Sequence, residues 1–348
     1  MGTIRTPGGR DDDREAPPTR RPTLRPYRGP VDHREMARVA SAARAANGSP
    51  EQLTPQQLDN DYAHLMNCDL PLDCRLAELD GRVVAYGRTY WVDRTSGERS
   101  FECIANVDPA VRGRGVERTL VAWQLGRLEE LAVRFGADRP RILVGYAYGR
   151  DVATREALEA AGFHLARRHA ELVRPDFNDI PDLALPEGFE IRPIDPADRV
   201  MQRRVFEADA AAFVDHWGDV DSSEDAFERF IGDPLFDPTL WRVAFREDEI
   251  AGQILNFLEP VHEDGTRIGW TESISVQAPF RRRGLARALL AESLRTVREA
   301  GATCAALGVD TGNVRHALDL YESLGFRIVS DLLEFHRPVE RSTAEEAQ

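Results

Sequence analysis

The stretch VQAPFRRRGLARALLAESLRTVREAG, Val276 to Gly301, decides the fold. An apolar strand pattern ends at Val276 and is followed by three consecutive arginines. After Gly284 comes an amphipathic helical pattern, Leu285 to Ala300. The first N–H groups of a helix have no partner within the helix, and the helix dipole places partial positive charge beside them. Gly284 permits close backbone approach, and Ala286 leaves those amides accessible. Strand, loop and helix start therefore predict a binding site for an anion, here a pyrophosphate.

The composition excludes several classes of protein. With 348 residues and 42% apolar content, the chain predicts two globular domains. The chain contains no lysine, so all 45 of its lysine and arginine residues are arginine. The missing lysine excludes phosphate-binding P-loops, pyridoxal phosphate Schiff bases and protein kinases. A net charge of -14 without a basic stripe argues against a nucleic-acid partner.

Neither a membrane nor a metal is expected as a partner. The sequence contains no apolar run near the roughly 20 residues that cross a bilayer, and its first residues lack the apolar segment of a signal peptide. We therefore expect a cytoplasmic protein. The cysteines form no CxxC pair and no zinc spacing, which favours reduced, buried thiols and no metal site; they are Cys68, Cys74, Cys103 and Cys304.

The chain contains an internal repeat. VDPAVRGRGVERTL, from Val107, resembles VQAPFRRRGLARALL, from Val276. Three pairs of landmarks are separated by 167, 169 and 163 residues, namely Arg25 and Arg192, Arg112 and Arg281, and Phe163 and Phe326. A nearly constant separation indicates a duplicated domain. The predicted organisation is a disordered tail (1–20), an N-terminal domain (21–175), a linker (176–188), a C-terminal domain (189–338) and a second tail (339–348).

Strands and helices alternate within each copy. In the second copy, periodicity predicts helices over 285–300 and 314–323 and strands over 240–247, 249–260, 267–277, 304–309 and 327–337. Gly301 and Gly325 follow the two helices, where a left-handed cap favours glycine. The predicted fold class is α/β: two tandem domains, each a mixed, mostly antiparallel sheet flanked by helices.

The arginine loop resembles the signature of the GNAT superfamily of acyl-CoA-dependent N-acyltransferases. Arg281, Gly284 and Ala286 satisfy its pattern (Q/R)xxGx(G/A). Downstream, GVDTGNVRHALDLYESLGF, Gly308 to Phe326, looks like the second motif of the family. The segments FVDHWGDVDSSEDAFERF and FDPTLWRVAFREDEIAG resemble the mycothiol-synthase-like group, whose members are tandem proteins of this superfamily.

The resemblance implies an acetyl-CoA site in the C-terminal domain. Backbone groups of Ile274, Ser275 and Val276 would pair with the pantetheine arm, on a strand that splays from its neighbour. Asn313 would bond the cofactor or this strand, and the Tyr321 phenol would protonate the departing thiolate. The alternative for Tyr321 is a half-buried tyrosine on a helix without a catalytic role. The alternative for Asn313 is the N-cap of the helix that follows it. The loop would hold the pyrophosphate through Arg281, Arg282, Arg283, Gly284, Leu285, Ala286 and Arg287.

The general base is predicted to be Glu272. A strict alternation along the strand gives it the same side-chain parity as Ile274 and Val276. The alternative is a solvent-facing strand glutamate. The mycothiol-synthase-like group commonly carries a glutamate two positions earlier, where this chain has Trp270. Members that act on ribosomal N-termini carry one at the position of Gly308. Second candidates for base or amine anchor are Asp215, His216 and Glu224, whose acidic segment otherwise reads as plain surface.

The first copy has lost the proton donor. Glu117 occupies the position of Ala286, Leu158 that of Tyr321, and Arg150 lies near that of Asn313. We expect this copy to be catalytically silent, whether it still binds CoA or is a purely structural pseudo-domain.

The predicted function is an acetyl-CoA-dependent N-acetyltransferase. Its C-terminal domain would act by direct attack of a small-molecule amine, and the protein would be a monomer or a homodimer. The alternative is a non-catalytic acyl-CoA sensor or scaffold protein.

Overall fold

A computed structural model of the chain describes residues 21–94, 96–135, 138–212, 222–310 and 315–339. The first predicted tail and residues 340–348 of the second lie outside them. The helices are α1 His33–Asn47, α2 Pro55–Ala63, α3 Leu70–Asp73, α4 Val116–Arg134, α5 Val152–Ala160, α6 Arg199–Ala212, α7 Glu224–Ile231, α8 Leu285–Glu299 and α9 Arg315–Ser323. The strands are β1 Thr23–Pro26, β2 Cys74–Leu79, β3 Arg82–Asp93, β4 Arg99–Val107, β5 Arg141–Tyr148, β6 His164–Arg174, β7 Glu190–Arg192, β8 Arg242–Arg246, β9 Glu249–Leu258, β10 Ile268–Val276, β11 Cys304–Asp310 and β12 Arg327–Pro338.

These strands form one continuous sheet. Its order is β1-β2-β3-β4-β5-β12-β6-β11-β10-β9-β8-β7. Strands β4 and β5 are parallel, as are β10 and β11, and the other described neighbours are antiparallel. The predicted α/β class with a mixed, mostly antiparallel sheet is confirmed.

The two halves of the chain exchange their last strands. Strand β6 ends the first copy but pairs with β11 of the second, while β12 ends the second copy but pairs with β5 of the first. Consequently Leu333 and Phe335 of β12 pack into the apolar core of the N-terminal half. Ala170 and Leu172 of β6 pack into that of the C-terminal half. Each core is completed by the other half, a feature that local periodicity did not predict.

A buried carboxylate fixes β12 in the N-terminal half. Glu334 pairs with Arg94 at 3.2 Å and accepts hydrogen bonds from His336 at 2.6 Å and His169 at 3.1 Å. Burial opposes the ionisation of Glu334, but the two histidine hydrogen bonds and the charge of Arg94 hold its pKa far below the usual range. The exchanged strand is therefore held by a charge network as well as by apolar packing.

Helices cover both faces of the C-terminal half. Leu289 and Leu294 of α8 lie in the core against β9 and β11. On the opposite face, Val205 of α6 packs with Trp241 and Leu255. The face that a β10 side chain occupies therefore decides which helix it meets. No helix in the described part of the chain has the length and apolarity to cross a bilayer.

Candidate active site

The arginine loop presents its backbone at the start of α8. Gly284 caps the helix in the left-handed conformation, with φ 86° and ψ -2°, and no side chain of the described residues caps it. Leu285 is buried and anchors the first turn in the core. A Cβ built on Gly284 would meet no described atom within 4 Å. The helix start therefore has the exposed amides and the open approach that an anion site requires.

Two of the arginine side chains brace the loop itself. The Arg281 guanidinium donates to the carbonyl oxygens of Val276 at 3.0 Å and Ala212 at 3.1 Å. Arg283 donates to the carbonyl oxygen of Pro279 at 3.3 Å. These contacts hold the loop against β10 and α6, and the charge-assisted bonds from arginine side chains to phosphate stay a prediction. The backbone amides are the groups presented by the loop.

Strands β10 and β11 separate in the middle of the sheet. Their parallel pairing runs from Ile268 with Cys304 to Trp270 with Ala306. Beyond that point β11 continues along β6 as far as Asp310. The splayed strand that the resemblance implies is therefore present.

A β-bulge corrects the predicted side-chain parity on β10. Glu272 pairs with Leu255 and Ser275 pairs with Gln253, so β10 has one extra residue between these pairs. Ser273 takes up the excess with φ 51°. As a result Glu272 shares a face with Ser275, whereas Ile274 and Val276 pack into the core under α8. The predicted shared parity of Glu272 with Ile274 and Val276 was wrong, because a bulge inverts the alternation.

Glu272 and Tyr321 lie within electrostatic reach of each other. Burial raises the pKa of Glu272 to about 7, and the charges of Glu51 and Asp209 add to the shift. The side chain of Glu272 is nevertheless exposed to solvent, as the alternative interpretation of the sequence predicts, so the surrounding protein does not seal the carboxylate from water. Burial also raises the pKa of Tyr321 to about 12, with a contribution from the charge of Glu272. The Glu272 carboxyl can therefore ionise near neutral pH, while the Tyr321 phenol keeps its proton.

The charge of Glu51 acts on Glu272 and also on two further carboxylates, Glu171 and Glu259, and none of these three had a signal in the sequence. Glu259, which directly follows β9, accepts hydrogen bonds of 2.6 Å from Trp270 and from His262. A carboxylate therefore contacts Trp270, at whose position the mycothiol-synthase-like group carries a glutamate. Burial raises the pKa of Glu171 to about 7. Glu171 and Glu51 come from the N-terminal half. Glu171 is positioned by the pairing of β6 with β11, and Glu51 lies between α1 and α2, so motifs within the C-terminal half could not identify them.

The remaining predicted residues fall into two groups. Asn313, Asp215 and His216 lie outside the described residues. Glu224 is exposed in the first turn of α7 and pairs with Arg203 at 2.7 Å, as the surface reading predicts.

In the N-terminal half, Leu158 stands at the position of Tyr321 and is buried. Its Cδ2 atom would lie 2.7 Å from a Cβ built on Gly145. An apolar contact therefore fills the place of the phenol.

Comparisons with known proteins define the family. Residues 203–326 match the acetyltransferase (GNAT) family. A mycothiol acetyltransferase of Thermobispora bispora is 31% identical over 224 residues, which cover 63% of this chain and 70% of the relative. Another, from Streptomyces bingchenggensis, is 29% identical over 253 residues, or 72% of this chain and 75% of the relative.

Solved structures share the fold over most of the chain. A GCN5-related N-acetyltransferase from Sphaerobacter thermophilus superposes with a TM-score of 0.68 at 24% identity, covering 92% of this chain and 96% of that one. A tandem GNAT protein from the clavulanic acid biosynthesis pathway gives 0.65 at 16% identity, with 92% and 100% covered.

The chain belongs to the GNAT family of acetyltransferases. Within that family it is similar to mycothiol acetyltransferases in sequence and to tandem GNAT proteins in fold. The predictions of the family and of an enzyme that transfers an acyl group are confirmed, which favours the enzyme over the sensor.

Proposed function

We propose that the C-terminal half transfers the acetyl group of acetyl-CoA to the amine of a small molecule by direct attack. The observation that supports this proposal is the separation of β10 and β11: Glu272 lies on the separated part of β10, and Tyr321 is within electrostatic reach of Glu272. The relatives are named mycothiol acetyltransferases, so a mycothiol-related amine is the first acceptor to test.

The cofactor would lie along the opening in the sheet. The amides from Arg282 to Arg287 would hold the pyrophosphate at the start of α8. Because β11 leaves β10 after Trp270, the backbone of Ile274 to Val276 can pair with the pantetheine amides. Asn313 is proposed as a further contact. The thioester would then reach the level of Glu272 and Tyr321.

The two groups would divide the proton transfers between them. Glu272, directly or through a water, takes a proton from the ammonium of the acceptor, and the neutral amine attacks the thioester carbonyl. The C–N bond forms, the C–S bond breaks, and Tyr321 donates its proton to the CoA thiolate. The proton that the attacking nitrogen loses on becoming an amide returns to the phenolate through water, so the step balances. A phenol with a pKa of about 12 is protonated at neutral pH, which suits it to the role of acid.

The test is the release of free CoA in the presence of an amine panel, together with mass spectrometry of the acetylated product. We expect at least one amine to stimulate release and to gain one acetyl group. If acetyl-CoA binds but no amine stimulates its turnover, the non-catalytic alternative is correct.

A further inference from the structure

Helix α6 lies on the face of β9 and β10 that carries Glu272. Val205 of this helix packs against Leu255, the residue of β9 that pairs with Glu272, and directly paired residues share a face of the sheet. The Gln253 amide, two residues before Leu255, donates a hydrogen bond of 3.0 Å to the carbonyl oxygen of Val205. The helix is therefore fixed over the part of β10 that carries the candidate base.

Asp209 lies one helical turn after Val205, so its side chain is on the same face of α6. Moving along the two strands in step with the helix leads to the next pair on this face, Gln253 with Ser275. Burial raises the pKa of Asp209, and the neighbouring side chains of Ser273, Ser275 and Gln253 oppose this rise. A carboxyl group of α6 therefore lies against the β-bulge of β10.

Two polar atoms at this contact are buried without a hydrogen-bond partner among the described residues. They are Oδ1 of Asp209 and Oγ of Ser275, a serine that is 5% exposed. One is an acceptor and the other a donor, and buried groups of this kind are normally paired. The Ser275 hydroxyl is therefore a donor available to the carboxyl of Asp209.

The bulge itself requires support from its surroundings. Ser273 has φ 51°, a left-handed conformation that is unfavourable for a residue with a Cβ. The residues that follow it, Ile274 to Val276, supply the backbone that we propose to pair with pantetheine. A carboxyl that accepts from the hydroxyls on both sides of Ile274 would hold this backbone in the bulged conformation.

Ionisable groups of three other elements act together with Glu272. Asp209 belongs to α6, Glu51 to the connection between α1 and α2, and Tyr321 to α9. The negative charges of Glu51 and Asp209 add to burial in raising the pKa of Glu272. Asp209 therefore acts on Glu272 through its charge as well as through the strand that both of them contact.

We propose that Asp209 is a positioning residue for acetyl transfer, which holds the bulge of β10 through Ser273 and Ser275 and so fixes Glu272 and the backbone of Ile274 to Val276. Its negative charge also delays the ionisation of Glu272 to higher pH. This inference rests on the proposed function and adds to it a residue of α6 that no motif of the sequence indicates.

Asp209→Asn separates the charge of this residue from its hydrogen bonds, because the amide oxygen still accepts from the serine hydroxyls. Glu207→Gln removes a carboxylate from the exposed face of α6 and serves as the control. Carbon-13 NMR of the side-chain carboxyl groups follows the titration of Glu272 in each full-length protein, and Glu272→Gln assigns its resonance. We expect Glu272 to titrate at lower pH in Asp209→Asn, because a nearby negative charge is removed, and at the wild-type pH in Glu207→Gln.

Asp209→Ala removes the hydrogen-bond acceptor as well and leaves the serine hydroxyls unpaired. We expect this variant to weaken acetyl-CoA binding about 10-fold and to lower kcat about 10-fold or more, since a buried donor without a partner is costly. Asp209→Asn should keep the affinity for acetyl-CoA within about 2-fold of wild type, because its amide oxygen replaces the lost acceptor. Glu207→Ala should leave both quantities unchanged. Calorimetry measures the affinity, and CoA release in the presence of the acceptor measures kcat.

Two outcomes overturn the inference: a titration of Glu272 in Asp209→Asn that matches the wild type, or an affinity for acetyl-CoA in Asp209→Ala that matches Glu207→Ala. If Asp209→Ala does not fold, the titration in Asp209→Asn decides. Should the wild-type protein acetylate no amine, the proposed function fails by itself. The NMR titration and the acetyl-CoA affinities need no acceptor, so they still decide the inference in that case.

Discussion

The backbone N–H of Gly113 donates a hydrogen bond of 3.0 Å to Oε1 of Glu117. The glutamate is 2% exposed, so the first turn of α4 supplies an anion to the loop that precedes it. This loop has the conformation of the arginine loop: φ is 74° at Gly113 and 60° at Arg282, and 86° at both Gly115 and Gly284. The Glu117 carboxylate is therefore buried and occupies the loop of the N-terminal half.

Exchanging the residue types at positions 117 and 286 should exchange the ability of the two loops to bind acetyl-CoA. Ala286→Glu should weaken acetyl-CoA binding at least about 100-fold, because the carboxylate would compete for the amides and repel the pyrophosphate. Glu117→Ala should add a second, weaker site. Titration calorimetry measures the affinity for acetyl-CoA and the number of sites in each variant. Ala286→Gln serves as the control that adds the bulk of the side chain without its charge. Unchanged affinity in Ala286→Glu would remove the loop from the cofactor site.

Aspartate at the two loop glycines should have unequal effects on turnover. Gly284→Asp and Gly115→Asp introduce the same side chain at the same φ, where a Cβ meets no described atom within 4 Å in either loop. Backbone strain is thus matched, and the difference reports on the ligand. We expect Gly284→Asp to abolish turnover and Gly115→Asp to leave it nearly intact. Equal loss in both would show that the N-terminal loop takes part in catalysis.

Tyr321→Phe should lower kcat by on the order of 10² to 10⁴ with little change in the affinity for acetyl-CoA. The ring packs against Phe326, with 6.3 Å between the centroids, and phenylalanine keeps this contact. Stopped-flow rates and calorimetry measure the two quantities. Wild-type kcat at every pH would mean that water or the acceptor protonates the thiolate.

The pH profile should reflect the raised pKa of Glu272. A base must be ionised, so kcat/KM should rise as the pH increases through about 7. Glu272→Gln should remove this rise and most of the activity. Glu51→Gln should move the rise to lower pH, because it removes a negative charge that disfavours ionisation of Glu272. A profile that Glu272→Gln does not alter would assign the base elsewhere.

Neither half of the chain should be stable alone. Residues 21–175 lack β12 and residues 176–348 lack β6, so each would expose a strand edge and part of its core. We expect both fragments to aggregate when expressed separately and to form a folded, active complex when expressed together. Solubility, circular dichroism and CoA release measure this. A stable, active fragment 176–348 would show that the exchange is dispensable.

The sequence alone predicted strands β8 to β12, helices α8 and α9 and the arginine loop. These depend on periodicity and on glycines at helix ends, which act over a few residues. The candidates Glu272 and Tyr321 came from the resemblance to the GNAT superfamily. The predicted helix over 285–300 and the observed Leu285–Glu299 differ by one residue.

Tertiary structure decided how those elements meet. The bulge at Ser273 adds one residue to β10 relative to β9, so it is defined by the pairing of two strands and not by either alone. The exchange of β6 and β12 depends on which of two similar edges each strand joins, since both copies have the same local pattern. Glu171 of the N-terminal half lies opposite Gly308 of the C-terminal half only because β6 pairs with β11. Local patterns specify elements, whereas contacts between distant residues depend on the packing of the whole chain.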